Sequence, residues 1–188
     1  MGRRSARGTT PNWEVLTNLA SEQGGCFAQW QARELGFTRP RVQHHLNTGK
    51  LERLRRGLYR FRQHPSDPRE EFIVLWLWSR RAGVFSHESA LVLHELSDAL
   101  PSKLHLSVPS AWSRRRLSVP SEAILHFGDV PPGDRTWRGL VPVTTVQRTL
   151  RDCAAGATSP DLLRQAINDA RTKGLIGAAD PEPSSRPS

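Results

Sequence analysis

The chain has 188 residues, is 37% hydrophobic and carries a formal net charge of +9, with a pI near 11.0. That length suits one large domain or two small ones, and the charge favours a polyanionic partner such as nucleic acid or an anionic surface. The longest apolar run, Phe72 to Trp78, is too short to cross a bilayer. No apolar segment follows Arg3-Arg4 as a signal peptide requires, and Ala6 stands where a myristoylation motif needs Ser or Thr.

The excess charge is local. Residues 1–62 hold 12 Lys and Arg against four acids, a balance of +8, whereas the rest of the chain holds 15 against 14. The electrostatic footprint therefore belongs to the first third. Cys26 and Cys153 form no CxxC pair, which argues against a zinc site or a disulfide framework and suits a reducing cytoplasm.

In chain order, residues 1–11 (MGRRSARGTTP) are basic and rich in breakers, and read as a disordered arm. A first helix is predicted from Asn12 to Gln23, capped by Asn12 and stopped by Gly24-Gly25. A second covers about Ala28 to Leu35 and ends at Gly36. A third, residues 38–48, has Thr38 as its cap, Pro40 in its first turn and Gly49 beyond its end. Next comes LERLRRGLYRF, residues 51–61, whose apolar ends and central Gly57 suit a β-hairpin. Three short helices followed by a hairpin make a winged helix-turn-helix over residues 12–62, in which the third helix enters the major groove and the hairpin is the wing.

On the third helix, Val42 and Leu46 define the inward side. Steps of about 100° put Pro40, His44, Asn47 and Thr48 near the opposite face, with Arg41 and Gln43 on its flanks. With Thr38 and Arg39 at the helix start, these form the candidate base-reading set. Arg41 suits guanine O6 and N7, and Gln43 or Asn47 suits adenine N6 and N7. Arg53, Arg55, Arg56, Arg60 and Arg62 on and beside the hairpin are candidate contacts to phosphates or the minor groove. Any one of these residues could equally be a solvated surface group; the agreement of spacing, punctuation, hairpin and charge favours the reader.

Residues 67–175 read as a second, α+β domain with a small sheet. Asp67-Pro68-Arg69-Glu70 supplies a capping box for a helix that Arg80, Arg81 and Gly83 close. Ser86 caps a helix through about Leu96. Alternation marks a strand at Lys103–Val108, with further strands at Glu122–Phe127 and Leu140–Val143. Thr145 to Cys153 and Pro160 to Lys173, the latter capped by Ser159, return to helix. Residues 176–188 read as a disordered tail.

The string GFTRPRVQHHLNTGKLERLRRGLYRF resembles the N-terminal module of AbiEi-type antitoxins, above all in the pattern G-x-L-x-R-x-R-x-G-x-Y-R from Gly49 to Arg60. FSHESALVLHEL, LHLSVP and VTTVQRTLRDCA resemble the family's second domain in the same order, so the likeness spans roughly residues 12–175. The resemblance implies a type IV toxin–antitoxin (phage defence) system. Its N-terminal module would bind inverted repeats in double-stranded DNA and repress its own operon, while the second domain counteracts a nucleotidyltransferase-type toxin without a stable complex. An orphan regulator, and an interaction protein that neutralises an enzyme by direct contact, are the alternatives.

Enzyme readings fare worse. His87-Glu88 and His94-Glu95 lie on one predicted helix, but a zinc-protease motif needs a second His four residues after the first, where Leu91 and Asp98 stand. Those pairs read as structural, so no metal site, catalytic residue or cofactor is expected. A nuclease would need clustered acids near a Lys, and none of the three Lys stands two after an acid. Trp76 and Trp78, within FIVLWLW, read as core rather than a stacking platform. Trp112 with Arg114-Arg115-Arg116 reads as a solvated loop.

Overall fold

A computed structural model describes residues 11–97 and 101–177 and divides the chain into two compact units, residues 1–78 and 79–188. The expected basic arm lies outside the described residues except for Pro11, as does the expected tail except for Ile176 and Gly177.

The first unit is a winged helix-turn-helix. Helix α1 (Trp13–Ser21) starts where the Asn12 side chain accepts a hydrogen bond from the Val15 N–H at 3.1 Å. It stops where the Gly25 N–H reaches the Ala20 carbonyl at 2.7 Å. Gly25 has φ +81°, and a Cβ there would collide with His64, so the position requires glycine twice over. Cys26–Ala28 is strand β1, so Ala28 belongs to a strand rather than to the second helix. Helices α2 (Gln29–Glu34) and α3 (Arg39–Asn47) follow, then β2 (Leu51–Arg55) and β3 (Leu58–Phe61), reversing through Gly57. The antiparallel sheet has the order β1-β3-β2. β1 pairs with β3 through Cys26↔Arg60, Phe27↔Tyr59 and Ala28↔Leu58.

This third strand gives the hairpin a fixed base, with Leu16, Phe27, Phe37, Val42, Leu51 and Phe61 in one buried cluster beneath it. Phe27 stands 5.5 Å from both Tyr59 and Phe61, ring centre to ring centre. Helix α4 (Glu70–Trp78) packs against β1 and β3 and is buried from Phe72 to Leu77, Trp76 included. It therefore belongs to the first unit, although its sequence opens the stretch read as the second domain.

The expected start and end of α4 need correction. The Asp67 carboxylate accepts from the Arg69 N–H at 2.6 Å in a local turn, so Pro68 and Arg69 lie in that turn and the helix begins at Glu70. After Trp78, Ser79 takes the Ala82 N–H on its carbonyl and the Gly83 N–H on its hydroxyl. That turn carries Arg80 and Arg81 in the left-handed region, so the helix ends five residues before Gly83 and these arginines lie outside it.

The second unit holds a five-stranded mixed sheet of order β6-β5-β4-β8-β7. Its elements are β4 (Val84–Phe85), α5 (His87–Leu93), β5 (Leu104–Val108), β6 (Ala123–Phe127), β7 (Arg135–Arg138), β8 (Val141–Thr144), α6 (Val146–Ala155) and α7 (Pro160–Thr172). Ser159 caps α7 as expected, accepting from the Leu162 N–H, and Thr145 caps α6, accepting from the Arg148 N–H. Ser86 stands at the N-cap of α5 but makes no side-chain cap. Its hydroxyl instead accepts from Ser107 at 2.8 Å, and the helix stops at Leu93, short of Leu96. Leu91, Leu96, Leu150, Ile167 and their neighbours form the helical core, onto which Leu175 and Ile176 pack. Ile176, counted with the tail by composition, is thus part of the fold. No helix among the described residues is long and apolar enough to cross a membrane.

Candidate nucleic-acid interface

Helix α3 keeps one side in the core and turns the other outward. Val42 is 1% exposed and Leu46 is half-buried against the same cluster. Thr38, Arg39, Pro40, Arg41, Gln43, His44, Asn47 and Thr48 are all exposed, so the eight candidate readers share the solvent side of one short rod. Thr38 occupies the N-cap with extended backbone, but its side chain makes no capping bond. His45, the odd one out on this helix, tucks its ring 4.2 Å from that of Trp13, and burial holds its pKa below the usual histidine value.

The wing is joined to the rod by side chains. Arg53 on β2 donates to Gln43 Oε1 at 2.9 Å, and Gln43 Nε2 donates to Asn47 Oδ1 at 2.8 Å. This exposed rail sets the wing's Arg53 in line with two candidate readers and leaves the two Asn47 Nδ2 protons outside it. Gln43 keeps one lone pair on Oε1 and one Nε2 proton for an adenine, whereas Asn47 keeps a second lone pair on Oδ1 and both protons of its NH₂. Arg55, Arg56 and Arg62 are exposed around the hairpin, and Lys50 lies at its entry. The strand register slips between Arg53 and Arg55, a bulge that re-aims the side chains at the wing tip.

Arg60 is engaged otherwise. Its guanidinium donates to Glu52 at 2.9 Å and Glu70 at 2.7 Å, with the side chain only 13% exposed. The hydrogen bond it donates to Glu52 leads the causes that raise its pKa further. β3 is the central strand, so Arg60 faces neighbours on both sides; it clamps β2 and α4 to the sheet rather than reaching for phosphate. Local sequence marks Arg60 as one more hairpin cation. Only the placement of Glu70 on α4 reveals the clamp.

The thiols and the weighed histidine pairs are also placed. Cys26 and Cys153 are buried and free, and burial above all pushes each thiol up to about 12, which leaves them unreactive. His94 is 5% exposed, contacts the Thr144 carbonyl through Nε2 at 2.7 Å and receives Arg138 Nε on Nδ1 at 3.1 Å. Both its ring nitrogens are spent on structure. Arg115 lies 5.0 Å over the Trp112 ring, a cation–π contact within an exposed stretch.

A three-helix core with a β1-β3-β2 sheet and an outward third helix defines a winged helix-turn-helix. Residues 14–62 match the family model described as transcriptional regulator, AbiEi antitoxin. The matched span runs from α1 to the end of the wing. Among solved structures, the chain is similar to the crystal structure of the RV2827C protein from Mycobacterium tuberculosis, at 15% identity and a TM-score of 0.45 over 95% of this chain and 82% of that one. No curated protein matches.

Proposed function

We propose that the chain is a sequence-specific DNA-binding antitoxin of the cytoplasm that represses its own operon and counteracts a nucleotidyltransferase-type toxin. The observation that carries the reading is the exposed polar side of α3, tied by Arg53 to an arginine-bearing hairpin. On this reading α3 lies in the major groove, Arg41 and Asn47 read bases, and Arg55, Arg56 and Arg62 meet phosphates. Two copies on an inverted repeat would place two such helices a helical turn apart. The toxin is opposed without a stable complex, which leaves the second unit to act by another route than stoichiometric capture.

The test is binding of the full chain to duplex from its own promoter against random duplex of equal length, across a salt series. Preference for the promoter, with affinity falling steeply as salt rises, is the expected result. Equal binding at moderate salt overturns it. Co-expression with the neighbouring gene tests the antitoxic half, where rescue of growth without co-purification is expected. Confinement of the family match to residues 14–62 favours one second reading, an orphan winged-helix regulator, and there co-expression would rescue nothing.

A further inference from the structure

Three histidines that lie far apart in sequence meet in the second unit. His87 opens α5, His105 sits in β5 and His126 in β6. Strands β5 and β6 run parallel with Ser107 opposite His126, which puts His105 and His126 on the same sheet face, offset by one step along it. His105 Nδ1 and His126 Nε2 are 3.0 Å apart. The His87 ring stacks on His126 at 3.7 Å between ring centres and 13° between planes. One ring nitrogen from each of the three lies within 4.8 Å of the other two.

A hydrogen bond between His105 and His126 accounts for two of these rings, but it gives His87 no reason to join them. The surroundings fit a ligand set better. Two imidazole nitrogens on one tetrahedral zinc, each about 2.0–2.1 Å from it, stand about 3.4 Å apart, close to the spacing already held by His105 and His126. His87 brings a third ring nitrogen within 4.8 Å of both. Its Nδ1 is held 3.0 Å from the Ser86 hydroxyl, which Ser107 holds in turn, and an outer hydrogen bond of this kind orients metal-binding imidazoles. The backbone at His105 is fixed by the Ser89 hydroxyl at 2.7 Å, and the Glu88 carboxylate acts on His105 with negative charge. The nearby Arg148 cation is matched by Asp134 and Asp152 at 2.9 and 2.8 Å.

We propose that His87, His105 and His126 form a binding site for a first-row divalent transition ion, zinc or one of its imidazole-preferring neighbours. With three nitrogen ligands and no thiolate in the set, the site leaves a coordination position for water or a small anion. The bound ion links the start of α5 to two strands of the sheet, and so stabilises the second unit in proportion to its occupancy.

The full-length protein, stripped with a chelator, is titrated with Zn²⁺ and separately with Co²⁺. One equivalent is expected to bind, with a rise in Tm and with Co²⁺ absorption of a low-coordinate, nitrogen-rich site. His105→Ala and His126→Ala should each weaken binding by roughly a hundredfold, at the upper end of what even the outer partners of such ligands cost. His64→Ala, in the first unit, should leave binding unchanged. Imidazole ¹⁵N shifts of the wild-type protein give a readout that needs no variant, and zinc should move the signals of His87, His105 and His126 together. Absence of uptake by folded wild-type protein at micromolar zinc overturns the proposal, as does uptake that survives loss of both His105 and His126.

Discussion

The two units carry nearly the same number of basic side chains, 13 in residues 1–78 and 14 in residues 79–188, but set them against different numbers of acids, seven in the first and eleven in the second. In the first, Arg39, Arg41, Lys50, Arg56 and Arg62 are exposed about one helix and one hairpin, and Arg60 is turned to structural use. In the second, Arg148 bridges Asp134 and Asp152 and Arg138 supports His94, and four histidines are buried or half-buried, while Arg114, Arg115 and Arg116 stay exposed. A positive surface that is to meet a polyanion must keep its cations out of ion pairs, because a neutralised guanidinium releases no counterions on binding. The contrast therefore separates a unit whose chemistry should respond to salt from one whose stability should respond to pH.

Acid should give the largest effect and fall on the second unit of metal-free protein. Burial depresses His87 to about 3 and also lowers His94, His105 and His126. Below the ordinary value of 6.5 the unfolded chain takes up protons that the folded unit refuses. Stability is thus full above about 6.5 and drains away as pH falls towards 3. Hydrogen exchange resolved by segment should show residues 84–127 opening first on acidification; earlier opening of residues 13–61 would break the comparison.

Next in size, Phe27→Ala should cost about 3–5 kcal/mol in denaturant unfolding, since its ring is fully buried beneath the wing. Promoter binding should fall with it. Arg60→Met should cost about 2–3 kcal/mol by stranding Glu70, 20% exposed, while leaving the salt dependence of DNA binding unaltered. Arg56→Gln should do the reverse, weakening every duplex alike and flattening the salt slope by about one. If Arg60→Met flattened that slope instead, its place as a clamp would be lost. Smaller still, Arg41→Ala should remove about 1–3 kcal/mol of discrimination at one base pair, measured against a panel of single-base operator variants. Asn12→Ala should cost about 1 kcal/mol of stability through its cap.

Much of this architecture is written locally. Asn12, Thr145 and Ser159 cap the helices that follow them, and Gly25, Gly49 and Gly57 mark the turns, because capping and left-handed backbone act within a few residues. Val42 and Leu46 reveal the inward side of α3 by their spacing alone, and so identify its outward side as well. The concentration of charge in residues 1–62 is likewise a property of composition.

What local signals could not convey depends on partners far along the chain. Strands β1 and β4 have three and two residues, too few for any alternation, and exist because β3, β5 and β8 complete their hydrogen bonds. Arg60 becomes a clamp only when Glu52 and Glu70 arrive from two other elements. The alternation at Leu104-His105-Leu106 puts His105 on the polar side of its strand, yet it does not say that His126 and His87 face it. Helix and turn preferences are short-range energies that sequence displays directly. Strand pairing, ion-pair clamps and converging imidazoles are set by which distant segments the hydrophobic core draws together, and only the folded chain decides that.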